Sequence, residues 1–338
     1  MIKFFRKIRQ SLLTQNKVSQ YLFYAIGEII LVVIGILIAL YINNANEKRK
    51  NNEKIATILK EIQKDILTDI TESINLFDRY KRVDSIQDLI LNNKYTYEDY
   101  MSWKVQFIDL YYDSHEVQTN GYDNLMQNID NISEEYKDLL KELKHLYVID
   151  KSDLDVSNRR IQNTVYENVD SYYSKKWAQQ LNLGNWTDEA MDYYLNDVSR
   201  KNQVLSYMND YRWLFRQSQQ FRFDAINAYN AISKIVKNED SIPEIVSFVA
   251  SDSALLLKIA GNYRLKESTG KWSNNIEITI DDGLLIFNSE RYQNTKCRFL
   301  KNGFFYFNDM ILNFNKIELG ELSISRNIDG KAIYTKID

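Results

Sequence analysis

Proline, cysteine and histidine are scarce in this chain, and each scarcity narrows what the chain can be. One proline in 338 residues, Pro243, favours long uninterrupted helices, because proline removes a backbone donor and breaks a helix. One cysteine, Cys297, excludes an intrachain disulfide. Because that cysteine is far from the apolar run near the N-terminus, we also expect no bacterial lipoprotein anchor. The near balance of 43 basic and 46 acidic side chains leaves no bulk positive charge for nucleic acid.

Recognisable catalytic and metal-binding patterns are missing as well. Only two histidines are present, His115 and His145, and neither stands in a metal-ligand spacing. The sequence predicts His115-Glu116 as solvated surface in a loop, and Cys297 as a small core side chain in a strand rather than a nucleophile. No nucleophile-elbow, Walker, dinucleotide-binding or zinc-protease motif occurs. We therefore expect no enzyme activity, no cofactor and no metal site, and a hydrolase without a recognisable motif is the remaining enzymatic hypothesis.

The chain does contain one long apolar run. Residues 21–42 carry a single charged side chain, Glu28, and about 20 apolar residues at ~1.5 Å each span the hydrocarbon core of a bilayer. The run predicts a transmembrane helix, since it is too long for the apolar region of a cleaved signal peptide. Residues 1–20 contain no acidic side chain and predict a basic amphipathic segment on the cytoplasmic membrane surface. Its predicted lipid-facing basic residues are Lys3, Arg6, Lys7 and Arg9.

Orientation follows from charge and length together. Five basic residues lie in residues 1–20 and five in residues 43–62, so the charge count alone is tied. A long domain crosses a membrane largely regardless of its charge, whereas a short tail dense in Lys and Arg resists crossing. We therefore predict a single-pass inner-membrane protein with its N-terminus in the cytoplasm and its main domain in the periplasm.

Glu28 is the residue of the apolar run with the sharpest functional interpretation. An ionisable side chain near the centre of a membrane helix costs ~2.5 kcal/mol or more, so it usually faces protein or water. Gly35 and Ala39 lie seven and eleven positions further on, share its helix face, and permit another helix to approach closely. The favoured interpretation is that Glu28, Gly35 and Ala39 pair with a second copy or with another membrane protein. A neutral carboxyl near the interface and a proton-linked role are the alternatives.

Residues 43–258 predict a helical stalk and a bundle of five or six helices. Apolar residues recur at intervals of three and four from Ile55 to Phe77, which indicates an amphipathic helix that ends near Asn92-Asn93-Lys94. Further helices are predicted over 97–112 with Thr96 as N-cap, from Ser133 to about 148, from Ser152 to about 181, over 187–236 with a break near Lys201, and from Pro243 to Lys258.

After Lys258 the apolar period changes from helical to alternating. Ile276, Ile278 and Ile280 alternate with polar residues, as in a half-buried strand. Three pairs predict tight hairpins, because both of their positions tolerate positive φ: Asp282-Gly283, Asn302-Gly303 and Asp329-Gly330. Residues 259–338 therefore predict an antiparallel β domain of seven or eight short strands, closed or nearly so, and the whole chain is expected to be a membrane-anchored α+β protein.

Tyrosine is abundant, with 24 residues, and three adjacent pairs stand out. These are Tyr111-Tyr112, Tyr172-Tyr173 and Tyr193-Tyr194. The favoured interpretation places them at the wet edge of a helical core, where the ring is buried and the hydroxyl stays exposed. The alternative is a groove for sugars or peptides.

Two family resemblances add to these expectations. Residues 2–9 (IKFFRKIR), Tyr24-Ala25-Ile26-Gly27-Glu28, residues 33–40 (VIGILIAL) and then Asn43, Asn44 and Glu47 resemble a family of single-pass membrane proteins in Bacteroidota. The likeness is specific over residues 1–50 and weaker to about 250, where Thr119, Tyr122 and Leu125 resemble a recurrent element. It implies an inner-membrane protein with an extracytoplasmic helical domain and no assigned activity. Residues 259–265 (IAGNYRL) are similar to the opening strand of small lipocalin-like barrels, a likeness confined to the last 80 residues.

Two functional hypotheses follow. The first is a non-enzymatic scaffold or accessory subunit that presents an extracytoplasmic interaction domain. The alternative is a binding module that holds a small apolar or envelope-derived ligand in the β barrel or in a helical cleft. A pocket with convergent polar groups favours a ligand, whereas a large exposed apolar patch favours a protein partner.

Overall fold

The computed structural model describes residues 18–132, 134–250, 252–326 and 330–337. Lys3, Arg6, Lys7 and Arg9 lie outside the described residues, together with nearly all of the amphipathic segment predicted over residues 1–20. The predicted helix cap Ser133 and the turn residue Asp329 also lie outside them. The chain divides into two compact units, Met1–Thr57 with Asn128–Ser133 and Ile58–Gln127 with Glu134–Asp338.

The first helix, α1, covers Val18–Leu91. Its large aliphatic side chains from Leu22 to Ile42 are exposed, and it is the one helix of the described chain long and apolar enough to cross a membrane. A signal sequence near an N-terminus meets the same criterion. Glu28 is half-buried, Gly35 and Ala39 are exposed, and a Cβ added at Gly35 would meet no atom within 4 Å. The three residues share one face of α1, as their spacing predicts, and their pairing with another helix stays a prediction.

Within the second unit, α1 buries the predicted stripe. Ile62, Ile66 and Ile70 are fully buried, which confirms the amphipathic pattern read from the sequence. The helix ends at Leu91 because Asn93 takes a left-handed φ of 50° and the Lys94 N–H returns to the Leu89 carbonyl at 2.9 Å. The predicted interruption at residues 92–94 is therefore confirmed.

Eight further α-helices and one π-helix follow among the described residues. They are α2 (Tyr97–Met101), α3 (Asn120–Gln127), α4 (Lys137–Lys144), the π-helix His145–Asp150, α5 (Lys151–Tyr173), α6 (Ala178–Asn182), α7 (Asp188–Asn196), α8 (Val198–Val236) and α9 (Ser253–Ile259). Short 3₁₀ turns occupy Ile108–Leu110, Ile129–Asn131, Glu134–Tyr136 and Glu239–Ser241. The helices are more numerous than the five or six predicted, and several are only five to nine residues long.

The predicted cap at Thr96 and the predicted helix start at residue 187 are both confirmed. The Thr96 hydroxyl accepts from the Asp99 N–H while the Asp99 carboxylate accepts from the Thr96 N–H, a reciprocal capping box. Thr187 likewise accepts from the Ala190 N–H at 3.1 Å and opens α7. Both caps depend on residues three positions apart, which is why the sequence contains enough information to place them.

Several predicted helix boundaries are wrong. The helix predicted over 97–112 stops at Met101, since Trp103 takes a left-handed φ of 54°. The break predicted near Lys201 lies at Asp197, whose carboxylate accepts from two backbone N–H groups of the first turn of α8. The helix predicted from Pro243 is also wrong, because residues 243–250 are irregular and the next helix, α9, begins after its cap Asp252. The helix predicted to about 181 ends at Tyr173, before the separate α6.

The C-terminal residues form a closed antiparallel barrel of eight strands, each paired with the next and β1 paired with β8. The strands are β1 (Gly261–Ser268), β2 (Asn275–Asp281), β3 (Leu284–Ser289), β4 (Thr295–Lys301), β5 (Phe304–Phe307), β6 (Met310–Asn313), β7 (Glu321–Arg326) and β8 (Gly330–Lys336). Asp282-Gly283 and Asn302-Gly303 have positive φ at both positions, which confirms the predicted hairpins. Tyr263, Leu285 and Phe305 are among the side chains that fill the interior, as expected for a barrel of only eight strands.

The barrel packs on α1 and α8 inside the second unit. The Phe299 N–H donates to the Phe248 carbonyl at 2.9 Å, and the Phe77 and Phe304 rings meet edge to face at 5.3 Å. Arg216 pairs with Asp309 at 3.0 Å. Apolar and ionic contacts thus join α1 and α8 to the barrel, and the backbone hydrogen bond joins the barrel to the segment between α8 and α9.

Candidate functional site

Members of all three tyrosine pairs lie at or beside one cleft in the helical part of the second unit. The cleft has a volume of about 430 Å³. We call it the aromatic cleft. The residues that line it are Trp103, Phe107, Leu110, Tyr111, Val169, Tyr172, Tyr173, Leu181, Asn182 and Tyr194. They come from residues 103–111 after α2, from the C-terminal part of α5, from α6 and from α7. Four chain segments therefore meet to build it.

The floor of the aromatic cleft is buried and packed, and its rim is open to solvent. Tyr172 and Tyr194 are buried, and Tyr194 packs edge to face against Phe107 at 5.1 Å between ring centroids. Trp103 and Tyr111 stand at the rim with 47% and 75% of their surface exposed. An exposed aromatic rim over a packed aromatic floor is a preformed surface for a flat ligand.

A buried ion pair holds the wall of the cleft in place. Arg200, in the first turn of α8, donates to both carboxylate oxygens of Asp109 at 2.7 and 2.8 Å, and both side chains are almost fully buried. The Arg200 guanidinium also lies 5.3 Å from the centre of the Tyr194 ring. Asn168 donates to the Asp109 carbonyl at 3.1 Å. The segment that carries Phe107 and Tyr111 is thereby fixed against α5 and α8.

The aromatic cleft is uncharged. Among the described residues, no charged side chain lines it. Burial raises the pKa of Tyr172, and burial also raises the pKa of Tyr194 far above its usual range despite the opposing charge of Arg200. Both hydroxyls therefore stay protonated, and Tyr172 donates to the Asn182 side-chain oxygen at 2.6 Å. Hydroxyl and amide groups, without ions, supply the polarity of the cleft.

The tyrosine pairs fit neither sequence interpretation alone. Tyr172, Tyr193 and Tyr194 are buried, and the hydroxyls of Tyr172 and Tyr193 bond to protein side chains rather than standing at an exposed edge. Tyr111 and Tyr173 are exposed at the cleft. Sequence reasoning missed Trp103 and Asn182 altogether, and it missed Arg200. The available signal was the spacing of four between the aromatic residues Trp103 and Phe107, but both lie in the part of the predicted helix, beyond Met101, that does not form.

A second cavity, of about 400 Å³, lies at one mouth of the barrel. Trp272, Tyr292 and Arg326 line it, and the Arg326 guanidinium lies 5.2 Å from the centre of the Trp272 ring. Because side chains fill the barrel interior, a ligand of the barrel would sit at an end of the barrel, such as this mouth.

The prediction that His115 is solvated surface is wrong. His115 is fully buried, its Nδ1 lies 2.8 Å from the Ser218 hydroxyl, and Asn158 bonds both its N–H and its carbonyl. Burial lowers the pKa of His115 to about 4, so the ring is neutral. Ser218 in turn donates to the Ser73 hydroxyl at 3.0 Å. This serine–histidine contact lies inside the core, where it joins the His115 loop to α1 and α8.

The same face of α1 buries an acid. Asp69 is 1% exposed and accepts from the Gln118 N–H at 3.1 Å. Burial, with a contribution from the nearby Asp65, raises the pKa of Asp69 to about 8, although the Gln118 hydrogen bond opposes the shift. The folded protein therefore holds this proton more tightly than the unfolded chain does.

We expect Asp69→Asn to flatten the pH dependence of stability. In the wild type, the Asp69 carboxyl loses its proton at a lower pH in the unfolded chain than in the folded protein. The free energy of unfolding therefore falls as pH rises from about 4 to about 8, by at most ~1.4 kcal/mol per pH unit from this group. Asparagine keeps the acceptor for Gln118 and has no charge, so the variant should gain stability over the wild type across that interval. Denaturant unfolding of the full chain in detergent at pH 5 to 9 measures this, with the exposed Asp138→Asn as control. Parallel profiles for the wild type and Asp69→Asn would contradict the assignment.

The remaining singled-out residues do not join the aromatic cleft. Cys297 is buried in β4, and burial raises the pKa of its thiol far above the usual range. His145 lies at the start of the π-helix, and Glu28, Gly35 and Ala39 lie on α1 in the first unit. Compared with protein-family models, curated proteins and solved structures, the chain matches none.

Proposed function

We propose that this protein is a single-pass inner-membrane binding module that holds an uncharged saccharide of the cell envelope in the aromatic cleft. The observation that carries the proposal is the cleft itself, a concave space of about 430 Å³ lined by six aromatic rings and no described charged side chain. Small-ligand sites have this size, and they combine an apolar lining with a few polar groups.

The chemistry of the lining suits a sugar. The C–H faces of a pyranose ring pack against aromatic faces such as those of Trp103 and Tyr111, while tyrosine hydroxyls and the Asn182 amide can exchange hydrogen bonds with sugar hydroxyl or acetamido groups. A charged ligand would find no counter-ion among these residues. A neutral, amphipathic ligand is therefore favoured over an anionic one.

Membrane anchoring through α1 is the second part of the proposal. The exposed apolar stretch of α1 and the basic residues before it support a cytoplasmic N-terminus and a periplasmic main domain. The bilayer is then one partner, and Glu28, Gly35 and Ala39 offer a face for a second copy or another membrane protein. A non-enzymatic scaffold is the other candidate, since exposed aromatic residues at the rim such as Tyr111 and Tyr173 are also suited to a protein contact.

A saccharide titration tests the cleft. The full chain, in a detergent without a sugar headgroup, is titrated with chitotetraose, and binding is followed by tryptophan fluorescence and by calorimetry. We expect saturable binding, and Trp103→Ala and Tyr111→Ala should each weaken it at least fivefold, because truncating an aromatic side chain that packs on the ligand costs about 1 kcal/mol or more.

The matched control is Trp213→Ala. Trp213 is 40% exposed, close to the 47% of Trp103, but lies outside the cleft. Its loss should leave the affinity unchanged. If chitotetraose does not bind, or binds equally well to Trp103→Ala, the saccharide proposal fails and the scaffold hypothesis gains.

A further inference from the structure

Three potential metal ligands meet away from the aromatic cleft. His145, Asp150 and Asp224 each bring a ligand atom within 4.8 Å of the other two. The His145 Nε2 lies 3.5 Å from an Asp150 carboxylate oxygen. His145 and Asp150 are the first and last residues of the π-helix, and Asp224 lies on α8. The cluster thus joins two packed helical elements of the second unit.

The π-helix explains why His145 and Asp150 face the same way. Five steps along an α-helix rotate a side chain by roughly 140°, which would separate two residues five positions apart. A π-helix closes its hydrogen bonds from residue i to residue i+5, so the first and last residues of His145–Asp150 approach one face. Single π-helical turns inside longer helices occur frequently at functional sites.

Asp150 supplies an independent sign that a ligand belongs here. Its side chain is 6% exposed, and its Oδ2 atom has no hydrogen-bond partner among the described residues. A buried carboxylate oxygen without a donor is costly, because it has lost its water and gained nothing in return. The Asp224 carboxyl lies close enough beside it to share a hydrogen bond, and the two groups repel each other when both are ionised. A cation between the two carboxylates would remove both costs.

We propose that His145, Asp150 and Asp224 bind a divalent transition-metal ion, with Zn²⁺ as the best-suited probe. One imidazole nitrogen and two carboxylate oxygens form a mixed donor set of the kind that Zn²⁺ accepts, and water completes the coordination. Ligand atoms around a tetrahedral Zn²⁺ stand roughly 3.4 Å apart, so the exposed His145 and half-buried Asp224 need to move inward by only about an ångström.

The surroundings match such a site. Gln220 donates to the second oxygen of Asp224, which orients the carboxylate as outer-sphere partners of metal ligands do. Asp153, one turn beyond Asp150, adds negative potential. Arg298 is the opposing cation near Asp224, but its guanidinium stacks 4.5 Å from the Phe223 ring. The exposed position of His145 gives the ion a path from solvent.

Direct binding of Zn²⁺ and Co²⁺ tests the proposal. The full chain is purified in detergent without a polyhistidine tag and without chelator, then titrated by calorimetry with Zn²⁺ in the presence of excess Mg²⁺. We expect one Zn²⁺ per chain, a rise in the melting temperature, and a visible Co²⁺ absorption band that Zn²⁺ displaces. His145→Ala and Asp224→Asn, the two more exposed ligands, should each weaken Zn²⁺ binding at least tenfold.

Asp138→Asn is the control, since it removes the same charge from an exposed site on α4. It should leave the affinity for Zn²⁺ and the Co²⁺ spectrum unchanged. Absence of Zn²⁺ binding to the wild type, or an undiminished affinity in His145→Ala, would overturn the site. Neither result would bear on saccharide binding, because no residue of the cluster lines the aromatic cleft.

Discussion

Arg200→Met is expected to lower the free energy of unfolding by about 3–5 kcal/mol, because it leaves the buried Asp109 carboxylate without its counter-ion. The two side chains are 3% and 2% exposed and share two charge-assisted hydrogen bonds. Methionine approximates the length and apolar volume of the arginine stem, so most of the loss reflects the stranded charge rather than a cavity.

A double-mutant cycle separates the ion pair from its packing. Because a buried pair often contributes little beyond the cost of desolvating it, Arg200→Met with Asp109→Leu should be more stable than Arg200→Met alone. Lys141→Met, which breaks the exposed pair with Asp138, should change stability by less than ~1 kcal/mol. Denaturant unfolding of the full chain in one detergent provides all of these values. A double variant as unstable as the sum of its single variants would contradict the stranded-charge explanation.

Arg200→Met should also affect the aromatic cleft. Tyr194, Leu110 and Tyr111 line the cleft. Arg200 packs on the Tyr194 ring, and Asp109 precedes Leu110 and Tyr111 in the chain. Loosening that segment removes the preorganisation on which a small-ligand site depends. Arg200→Met is therefore expected to weaken saccharide binding even under conditions in which the variant remains folded.

Those parts of the fold that depend on neighbouring residues could be predicted from the sequence. The barrel follows from alternation within single strands and from two-residue turns such as Asn302-Gly303, and the capping box at Thr96 spans only three residues. The long apolar helix is likewise a matter of local composition. In these elements local propensity and the final structure agree.

The candidate site depends on contacts that local patterns do not contain. Asp109 and Arg200 are 91 residues apart, and His115 is buried because Ser218, 103 residues away, provides its partner. Periodicity predicted a helix through Trp103, yet the left-handed φ at that residue redirects the chain and brings Phe107 to the cleft wall. Tertiary contacts override propensity at these positions.

The π-helix is a further example. In an α-helix, a spacing of five residues does not match a metal-binding motif. Only the wider turn of the π-helix His145–Asp150 places these two residues on one face beside Asp224. A sequence search based on α-helical spacing would therefore pass over this cluster.

Accessibility of the cleft rim in unlysed spheroplasts tests the central claim most directly. Leu183→Cys places a thiol on a side chain that is 73% exposed, next to the cleft residue Asn182. The native Cys297 is 1% exposed, and burial raises the pKa of its thiol, so it should contribute no background. Ser11→Cys, in the segment predicted to be cytoplasmic, is the matched control.

The measurement is labelling of spheroplasts by a membrane-impermeant maleimide, with and without chitotetraose. A membrane-anchored periplasmic binding module predicts that Leu183→Cys is labelled before lysis and more slowly when chitotetraose is present. Ser11→Cys should be labelled only after lysis. Labelling of Leu183→Cys only after lysis would contradict the orientation. A labelling rate that is the same with and without chitotetraose would contradict the binding role.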